Sequence, residues 1–159
     1  MGVVTYEFEV TSPVAPTRLF KAFVLEGAKV YPKAAPHAIK SVELEGDGKA
    51  GSIVKINFVE GLPFQYMKHM IGGHDENKLS YSYSLIEGGP LGDKLEKISY
   101  ENQFVAAASG RSVCKSSIKF YTVGDYVITE DEIKALIQRS EVVYKAIEAF
   151  LLANPDACN

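Results

Sequence analysis

Tryptophan is absent from this sequence, which also holds only two cysteines and three histidines. Two cysteines cannot build a disulfide framework, and reduced thiols suit the cytosol. No run of like charge occurs and the net charge is −3, which argues against nucleic acid and an anionic membrane surface as partners. The opening residues, MGVVTYEFEV, alternate polar and apolar side chains, unlike a signal peptide or a membrane span. We therefore expect a cytosolic protein.

What the chain does have is enough apolar sequence for one sizeable core. It contains 159 residues, of which 47% are hydrophobic. A chain of this length and composition predicts a single domain over 1–159.

A long amphipathic helix is predicted near the end of the chain, from Thr129 to Asn154. Thr129 and Glu132 have the spacing of a capping box, and Asn154 followed by Pro155 ends the helix. Between them apolar residues recur at three- and four-residue steps, with Ser140 as the single polar interruption. The stripe consists of Ile133, Leu136, Ile137, Val143, Tyr144, Ile147 and Leu151.

Most of the remaining chain alternates polar and apolar residues with the period of a β-strand. A first strand is predicted around residues 4–10, followed by two short helices at 17–24 and 28–35. Further strands are predicted at 39–45, 52–59, 64–72, 78–86, 94–106 and 112–122. The short turns between them favour antiparallel neighbours, because parallel crossovers need a dozen residues or more. The order of elements predicts an α+β fold in which one helix covers a sheet.

The side chains that share the inner face of this sheet follow from the alternation. The predicted inward set holds Ile56, Phe58, Tyr81, Tyr83, Leu85, Ile98, Tyr100, Asn102, Cys114, Ser116 and Phe120. In 64–72 the direction is ambiguous, since Phe64 and Tyr66 share one parity while Met67 and His69 share the other. A β-bulge in this strand would reconcile the two.

The inward set is unusual for a close-packed core because it carries tyrosine hydroxyls, an asparagine and a serine. Each buried polar group without a partner would cost on the order of 1–3 kcal/mol. A cavity with an apolar wall and scattered polar groups, which is how small-molecule sites look, would accommodate them. An ordinary core whose tyrosines reach solvent at the sheet edges would account for the same pattern. The pattern alone leaves both interpretations open.

Several stretches resemble the plant class-ten pathogenesis-related proteins, the family of the major birch pollen allergen. They are MGVVTYEFEVTS, RLFKAFVLEG, EGDGKAG, SLIEGGPLGD, LEKIS and the tail AIEAFLLANPDACN. The similarity is collinear over essentially the whole chain. It implies a helix-grip fold: a seven-stranded antiparallel sheet wrapped around the long C-terminal helix, with two short helices and a large internal hydrophobic cavity.

The resemblance also implies a function, the binding of small amphiphilic plant ligands such as flavonoids, cytokinins, brassinosteroids and fatty acids. Members are mostly cytosolic, often monomeric, induced by pathogens or stress, and frequently allergenic. We expect the cavity wall to comprise the inward set together with Phe64, Tyr66, His69, Ile137, Ser140, Val143 and Tyr144. No cofactor, metal or nucleic-acid partner is expected, and we predict binding without turnover.

The glycines Gly46, Gly48 and Gly51 follow a strand and could be mistaken for a phosphate loop. A phosphate loop requires Lys-Ser/Thr after its last glycine and then a helix. Here Gly51 leads into a strand, and Lys49 stands where the family pattern has its third glycine. We expect a hairpin whose glycines serve backbone geometry, with nucleotide binding as the alternative.

Catalytic arrangements are weak in this sequence. His69 and His74 would face opposite sides of one strand, and no zinc site can be identified. For the proposed ribonuclease activity of the family, the matching acidic pair is Glu96 and Glu148, but Phe150 replaces the tyrosine of that motif. With no basic groove to hold RNA, we expect Glu96 to be a structural carboxylate at the cavity end and Glu148 a solvated helix residue. A weak ribonuclease that uses Glu96 and Glu148 as acid and base is the alternative.

Relatives that condense amines with aldehydes resemble this fold but need a lysine inside the cavity. The strand lysines Lys55, Lys97, Lys115 and Lys119 all fall on the outward parity. Their positions argue against that chemistry.

Overall fold

A computed structural model of the chain describes residues 2–159 and shows one antiparallel sheet with a long helix against it. The strands run in the order β1-β7-β6-β5-β4-β3-β2, so that β1 and β2 form the two edges. Their bounds are β1 Val3–Ser12, β2 Ile39–Glu45, β3 Ile53–Phe58, β4 Tyr66–Asp75, β5 Ser80–Gly88, β6 Leu95–Ala106 and β7 Ser112–Thr122. The α+β class, the seven strands and their antiparallel pairing confirm the prediction.

Two short helices and one long helix complete the architecture. Helix α1, Pro16–Phe20, continues into a π-helical turn at Lys21–Leu25, and α2 spans Gly27–Ala34. Helix α3 spans Glu130–Ala153. The second short helix was predicted at 28–35, whereas α2 begins one residue earlier, at Gly27.

Helix α3 is fixed at both ends by side-chain contacts. At its start, Thr129 and Glu132 form the predicted capping box, in which each side chain bonds the other's backbone N–H. At its end, the guanidinium of Arg18 on α1 donates to the carbonyl oxygens of Leu151 and Asn154, both at 3.0 Å. These carbonyls lie in the last turn, where no intrahelical donor can reach them. The capping box and the arginine therefore anchor α3 against the rest of the fold.

Strand β4 extends further along the chain than predicted and includes Gly72 and Gly73. The sequence pattern predicted a turn from residue 72 onward, but β4 continues to Asp75 through a register shift between Ile71 and Gly73. A Cβ placed on Gly72 would lie 2.5 Å from the hydroxyl of Ser82 on β5, so only glycine fits at this close approach. A second register shift, between Lys68 and His69, places its extra residue, Ile86, on β5. The alternation of β4 is therefore unbroken from Tyr66 to Ile71, and the bulge expected to reconcile Tyr66 with His69 is absent from this part of the strand.

The apolar core divides along α3 into two main clusters. The C-terminal half of the helix packs on α1 and the ends of the sheet, in a cluster that contains Val14, Leu19, Phe20, Phe104, Ile147 and Leu151. The N-terminal half packs in a second cluster that contains Leu85, Leu95, Ile98, Ile118, Phe120, Ile128, Ile133 and Ile137. A smaller cluster of Ala35, Ile39 and Ile56 joins α2 to β2 and β3. Opposite the middle of α3, the sheet and helix do not close onto each other.

Candidate functional site

A cavity of about 420 Å³ lies between the inner face of the sheet and the middle of α3. Its wall is mainly aliphatic and aromatic, with contributions from all seven strands. The π-helical turn supplies Phe23 and α2 supplies Tyr31. A volume of this size lies within the range of small-ligand sites.

A row of four polar rings crosses the sheet side of the cavity. The rings of Tyr83 and Tyr100 stack with centroids 4.5 Å apart, because these residues are directly paired between β5 and β6. The imidazole of His69 lies 4.7 Å from the Tyr83 ring, and the Tyr81 ring stacks 6.0 Å from Tyr83. No hydrogen bond among residues 2–159 involves any of these four side chains' polar atoms. We name His69, Tyr81, Tyr83 and Tyr100 the aromatic row.

Burial sets the protonation state of this row. Desolvation lowers the pKa of His69 to about 4, so its imidazole is neutral at pH 7 and offers one donor and one acceptor. Desolvation also raises the pKa values of Tyr81, Tyr83 and Tyr100 well above the usual tyrosine value. The row is therefore uncharged at neutral pH, yet every member can donate and accept a hydrogen bond.

A second polar group lies beside the row, on β6 and β7. The hydroxyl of Ser116 donates to Oδ1 of Asn102 at 2.7 Å, across a directly paired position of the two strands. The thiol of Cys114 lies 3.7 Å from the same hydroxyl. Burial raises the pKa of this thiol, so that it stays protonated and is a poor nucleophile. The amide Nδ2 of Asn102 makes no hydrogen bond within the described chain, which leaves another donor in the wall.

The end of the cavity near α1 is closed by aromatic contacts. The rings of Phe23 and Tyr144 stack with centroids 5.3 Å apart, and Phe23 also lies 5.8 Å from Phe104. The hydroxyl of Tyr31 donates to the carbonyl of Phe23 at 3.3 Å, which orients the π-helical turn. Within residues 2–159, the hydroxyl of Tyr144 and Oε2 of Glu148 are buried polar atoms without a hydrogen-bond partner.

The opposite side of the cavity opens between α3 and the connection from β3 to β4. Phe64 on this connection faces Arg139 on α3, whose guanidinium lies 4.9 Å from the centre of the phenyl ring. Exposed residues on both sides line the cavity, which identifies this gap as its mouth. We define the mouth as Leu62, Pro63, Phe64, Arg139, Ser140, Glu141 and Val142. The hydroxyl of Ser140 donates to the carbonyl of Ile137 at 2.7 Å.

Most of the predicted site residues line this cavity. They are Ile56, Phe58, Phe64, His69, Tyr81, Tyr83, Leu85, Tyr100, Asn102, Cys114, Ser116, Ser140, Val143 and Tyr144. Strand parity therefore located the inner face correctly. Whether each residue contacts a ligand stays a prediction.

Four predicted residues do not line the cavity. Tyr66 lies on the outer face, where its hydroxyl donates to Glu87 at 2.7 Å. It takes the parity opposite to His69, whereas Phe64 precedes β4 and is free of the strand alternation. Ile98 and Phe120 follow the inward strand parity, and Ile137 lies on the apolar stripe of α3. All three are almost fully buried in the cluster at the N-terminal half of α3, where the sheet packs directly on the helix.

Several lining residues were not predicted. Met67 has the correct parity, and Phe8 and Val10 follow the alternation of β1, so these could have been chosen from the sequence. Ile118 follows the alternation of β7, Ile39 begins β2, and Leu136, Arg139, Glu141 and Val142 lie on α3. The remaining residues come from turns and short helices, whose side-chain directions a periodic pattern does not give. They include Phe23, Tyr31, Ala38, Leu62, Pro63 and Pro90.

The glycine loop uses its own backbone donors internally. The N–H groups of Gly48 and Lys49 donate to Ser52 Oγ and Asp47 Oδ1, at 3.1 and 2.9 Å. Gly46, Gly48 and Gly51 all have positive φ angles, between 85° and 116°. Chain geometry thus requires the glycines, as predicted, and these two donors are not available to a phosphate.

The two carboxylates of the ribonuclease alternative lie far apart. Glu96 follows Leu95, which packs with Ile133 at the start of α3, whereas Glu148 lies 15 residues further along the helix. At ~1.5 Å per residue this is a separation of about 22 Å along the axis, too far for joint acid–base catalysis. Our environmental prediction was also reversed. Glu96 is exposed, and the Glu148 side chain is 13% exposed with Lys145 3.5 Å away.

Other catalytic groups are not gathered in the described chain. Residues 2–159 contain no group of three or more His, Cys, Asp or Glu side chains that could hold a metal ion. The four strand lysines point away from the cavity, and the ammonium groups of Lys55 and Lys97 lie over the outer rings of Tyr66 and Tyr121. In the same part of the chain, no helix is long and apolar enough to cross a membrane.

A wide depression on the outer face of the sheet has a different character. It measures about 710 Å³ and is lined by charged and hydroxyl side chains, among them Glu7, Glu9, Glu101 and Lys115. These groups are exposed to water and gain little from a ligand that must displace it. The inner cavity is the better candidate site.

The family model described as the pathogenesis-related protein Bet v 1 family matches residues 1–154. The chain belongs to this family. As a member of the Bet v 1 family, it is 51% identical to the major allergen Pru av 1 of Prunus avium, with both chains covered completely. It is 49% identical to the major pollen allergen Bet v 1-B of Betula pendula, again over the full length of both.

Solved structures of similar proteins agree with the fold. The crystal structure of Ara h 8.0201 superposes with a TM-score of 0.85 at 40% identity, covering 96% of this chain and 100% of that one. Norcoclaurine synthase from Thalictrum flavum, in complex with dopamine and hydroxybenzaldehyde, gives a TM-score of 0.71 at 22% identity, covering 96% and 88%. At this lower identity the likeness concerns the fold alone. The predicted helix-grip architecture of the Bet v 1 family is confirmed.

Proposed function

We propose that this protein binds small amphiphilic plant molecules in the cavity between the sheet and α3, without converting them. The observation that carries the proposal is the aromatic row. It places four uncharged polar rings, none hydrogen-bonded to protein, in a wall that is otherwise mainly apolar. A ligand with a planar apolar body and peripheral hydroxyl or ring-nitrogen groups would satisfy both parts of this wall.

The ligand classes expected for the family fit this chemistry to different degrees. Flavonoids and cytokinins are planar and offer donors and acceptors at their edges, which matches the row of His69, Tyr83 and Tyr100. Brassinosteroids and fatty acids use mainly the apolar wall. We therefore place planar aromatic ligands first. Storage or transport of such ligands, linked to defence and stress responses, is the role that we propose in the cell.

We also propose that the chain acts as a single ligand-binding domain over 1–159, as a monomer in the cytosol. Cys114 and Cys158 are both free thiols, which suits a reducing compartment. Light scattering during size-exclusion chromatography and a fluorescent fusion in plant cells would test these two points.

The binding proposal is tested by calorimetry with a flavonol such as quercetin. The double variant Tyr83→Phe/Tyr100→Phe removes two hydroxyl groups and keeps both rings, so that affinity should fall about tenfold if each lost hydrogen bond is worth ~0.5–1.5 kcal/mol. The matched control is Tyr121→Phe, which removes a hydroxyl on the outer face of the same sheet. It should leave the affinity unchanged.

Two results would contradict the proposal. If neither quercetin nor a wider set of hydrophobic plant metabolites binds the folded protein, the cavity is not a ligand site. If quercetin binds the wild type and the double variant equally, binding occurs away from the aromatic row. Native mass spectrometry of freshly purified protein gives an independent measurement, because a retained small molecule would add its mass to the chain.

A further inference from the structure

A positively charged side chain at the mouth of the cavity distinguishes this site from a purely neutral pocket. Arg139 lies on α3 and lines the cavity from its exposed side. Among the lining residues that the structure describes there is no lysine and no second arginine, and His69 is neutral. Arg139 is thus the one positive charge that a bound molecule can meet in the described wall.

The contact with Phe64 fixes the guanidinium and leaves its donors free. The guanidinium lies 4.9 Å from the ring centre, within the range of a cation–π contact. A cation–π contact supplies no hydrogen-bond acceptor, so it leaves the N–H donors of the planar guanidinium without a partner. No hydrogen bond or ion pair of Arg139 occurs within residues 2–159, so this planar fork is available to an acceptor.

The neighbouring charge supports the same interpretation. Glu141 also lies at the mouth, but residues two apart on a helix do not face each other, and these two side chains form no ion pair. The mouth therefore presents an unpaired arginine and an unpaired carboxylate. A planar fork of N–H donors matches a carboxylate in two parallel hydrogen bonds.

We propose that Arg139 makes the cavity selective for amphiphiles that carry a carboxylate, with the apolar body inside and the carboxylate at the mouth. This inference rests on the proposed function, since it assigns specificity within the same cavity. Arg139 is a specificity-determining residue in this arrangement. Glu141 opposes it by repulsion and limits the preference.

The test compares anthracene-2-carboxylate with anthracene-2-carboxamide, which has nearly the same shape and no charge. Both are titrated by displacement of the neutral dye N-phenyl-1-naphthylamine at pH 7.5. The wild type should bind the carboxylate about fivefold to tenfold more tightly than the amide. Arg139→Gln should abolish this preference, so that the variant binds the carboxylate and the amide with equal affinity. Raising the salt concentration should weaken the binding of the carboxylate and not that of the amide, since salt screens the interaction between charges.

Three further variants make the test specific. Arg139→Lys keeps the charge and loses the planar fork, so that the preference should be intermediate. Glu141→Gln removes the repulsion and should increase the preference about twofold. Lys134→Gln removes an exposed positive charge of α3 that pairs with Glu130 at 3.4 Å and does not line the cavity. This control should behave as the wild type.

The outcomes separate the inference from the proposed function. If the wild type binds the carboxylate and the amide equally, or if Lys134→Gln weakens the carboxylate as much as Arg139→Gln does, the role of Arg139 is wrong while binding in the cavity stands. If neither compound nor the dye binds, the proposed function fails and the inference with it. Circular dichroism of each variant confirms that the fold is retained.

Discussion

Buried polar groups are satisfied at the ends of the sheet and left without protein partners in its middle. At the ends, Ser12, Ser112 and Thr122 are almost completely buried, and each bonds the backbone of a neighbouring segment. The hydroxyl of Ser12 accepts from the N–H of Val14 at 3.1 Å, Ser112 donates to the carbonyl of Val14, and Thr122 accepts from the N–H of Gly2 at 3.0 Å. These bonds attach the loop after β1 and the start of β1 to β7.

In the middle, His69, Tyr83 and Tyr100 are partly buried, line the cavity and form no side-chain hydrogen bond within the described chain. An unsatisfied buried polar group costs on the order of 1–3 kcal/mol, so a packed core would not retain several of them. The contrast teaches that polar groups which serve the fold are bonded by the fold. Those of the aromatic row are free for whatever fills the cavity.

The largest expected effect is a difference in stability loss between a side chain packed at the end of α3 and one that lines the cavity. Leu151 is completely buried in the C-terminal cluster, and Leu151→Ala should reduce the free energy of unfolding by about 3 kcal/mol. Val143 lies on the cavity wall, where the removed methyl groups enlarge an existing space, so Val143→Ala should cost less than about 1 kcal/mol. Urea denaturation of both variants measures this. Equal losses would mean that α3 packs equally along its length.

The second prediction concerns acid stability. The pKa of His69 is about 4 in the folded state against 6.5 when unfolded, so the unfolded state binds more protons between these values. The contribution of neutral His69 to the free energy of unfolding is fully present above pH 6.5 and is lost as the pH falls towards 4. Between pH 7 and pH 5 the loss is about 2 kcal/mol. Between pH 7 and pH 5, the free energy of unfolding of His69→Gln should fall by about 2 kcal/mol less than that of the wild type.

A matched control keeps the acid prediction specific. His37 is exposed, and His37→Gln should show the wild-type pH dependence. If His69→Gln also shows the wild-type dependence, the imidazole is solvated in the folded state and the cavity is open to bulk water near the aromatic row.

The third prediction exchanges single hydroxyl groups of the two regions. Ser112→Ala leaves the buried carbonyl of Val14 without its side-chain donor and should cost about 1–2 kcal/mol of unfolding free energy. Tyr83→Phe removes a hydroxyl that bonds to no protein atom, and the change should stay within about 0.5 kcal/mol. Thermal melts of the two variants compare them directly. A large loss in Tyr83→Phe would show that this hydroxyl stabilises the fold.

The smallest expected change in stability is at the mouth. Ser140→Leu replaces a small exposed residue of α3 by a better helix former and should change stability by less than about 0.5 kcal/mol. The larger side chain narrows the mouth, so affinity for a planar ligand should fall severalfold. Dye titration measures it. Unchanged affinity would mean that ligands do not pass or contact this position.

The ends of α3 and the face of each strand could be predicted from the sequence because local rules determine them. Thr129 and Glu132 form a capping box through contacts three residues apart, and alternation along β5 and β6 decides that Tyr83 and Tyr100 point inward. Such features depend on neighbours in the chain. They do not require knowledge of how far the sheet lies from the helix.

The extent of the cavity along the helix could not be predicted in the same way. Ile98 and Phe120 share the parity of Tyr100, yet they lie where the sheet reaches α3. Parity gives the face of a side chain and not its distance from the opposite layer. The prediction for Tyr66 was wrong for another reason. It assumed that Tyr66 points the same way as Phe64, but Phe64 belongs to the loop before β4 and does not follow the alternation of the strand. The loop and turn residues of the wall carry no periodic signal.

Helix α3 is anchored at its ends by the capping box of Thr129 and by Arg18. Its middle therefore contributes less to the stability of the domain. The residues opposite that middle can then change with little penalty to folding. Mutations that alter ligand preference would be close to neutral for stability, which widens the set of sequences open to natural variation. An architecture of this kind can keep one backbone while its pocket diverges, and the same property makes it a suitable scaffold for engineered small-molecule binders.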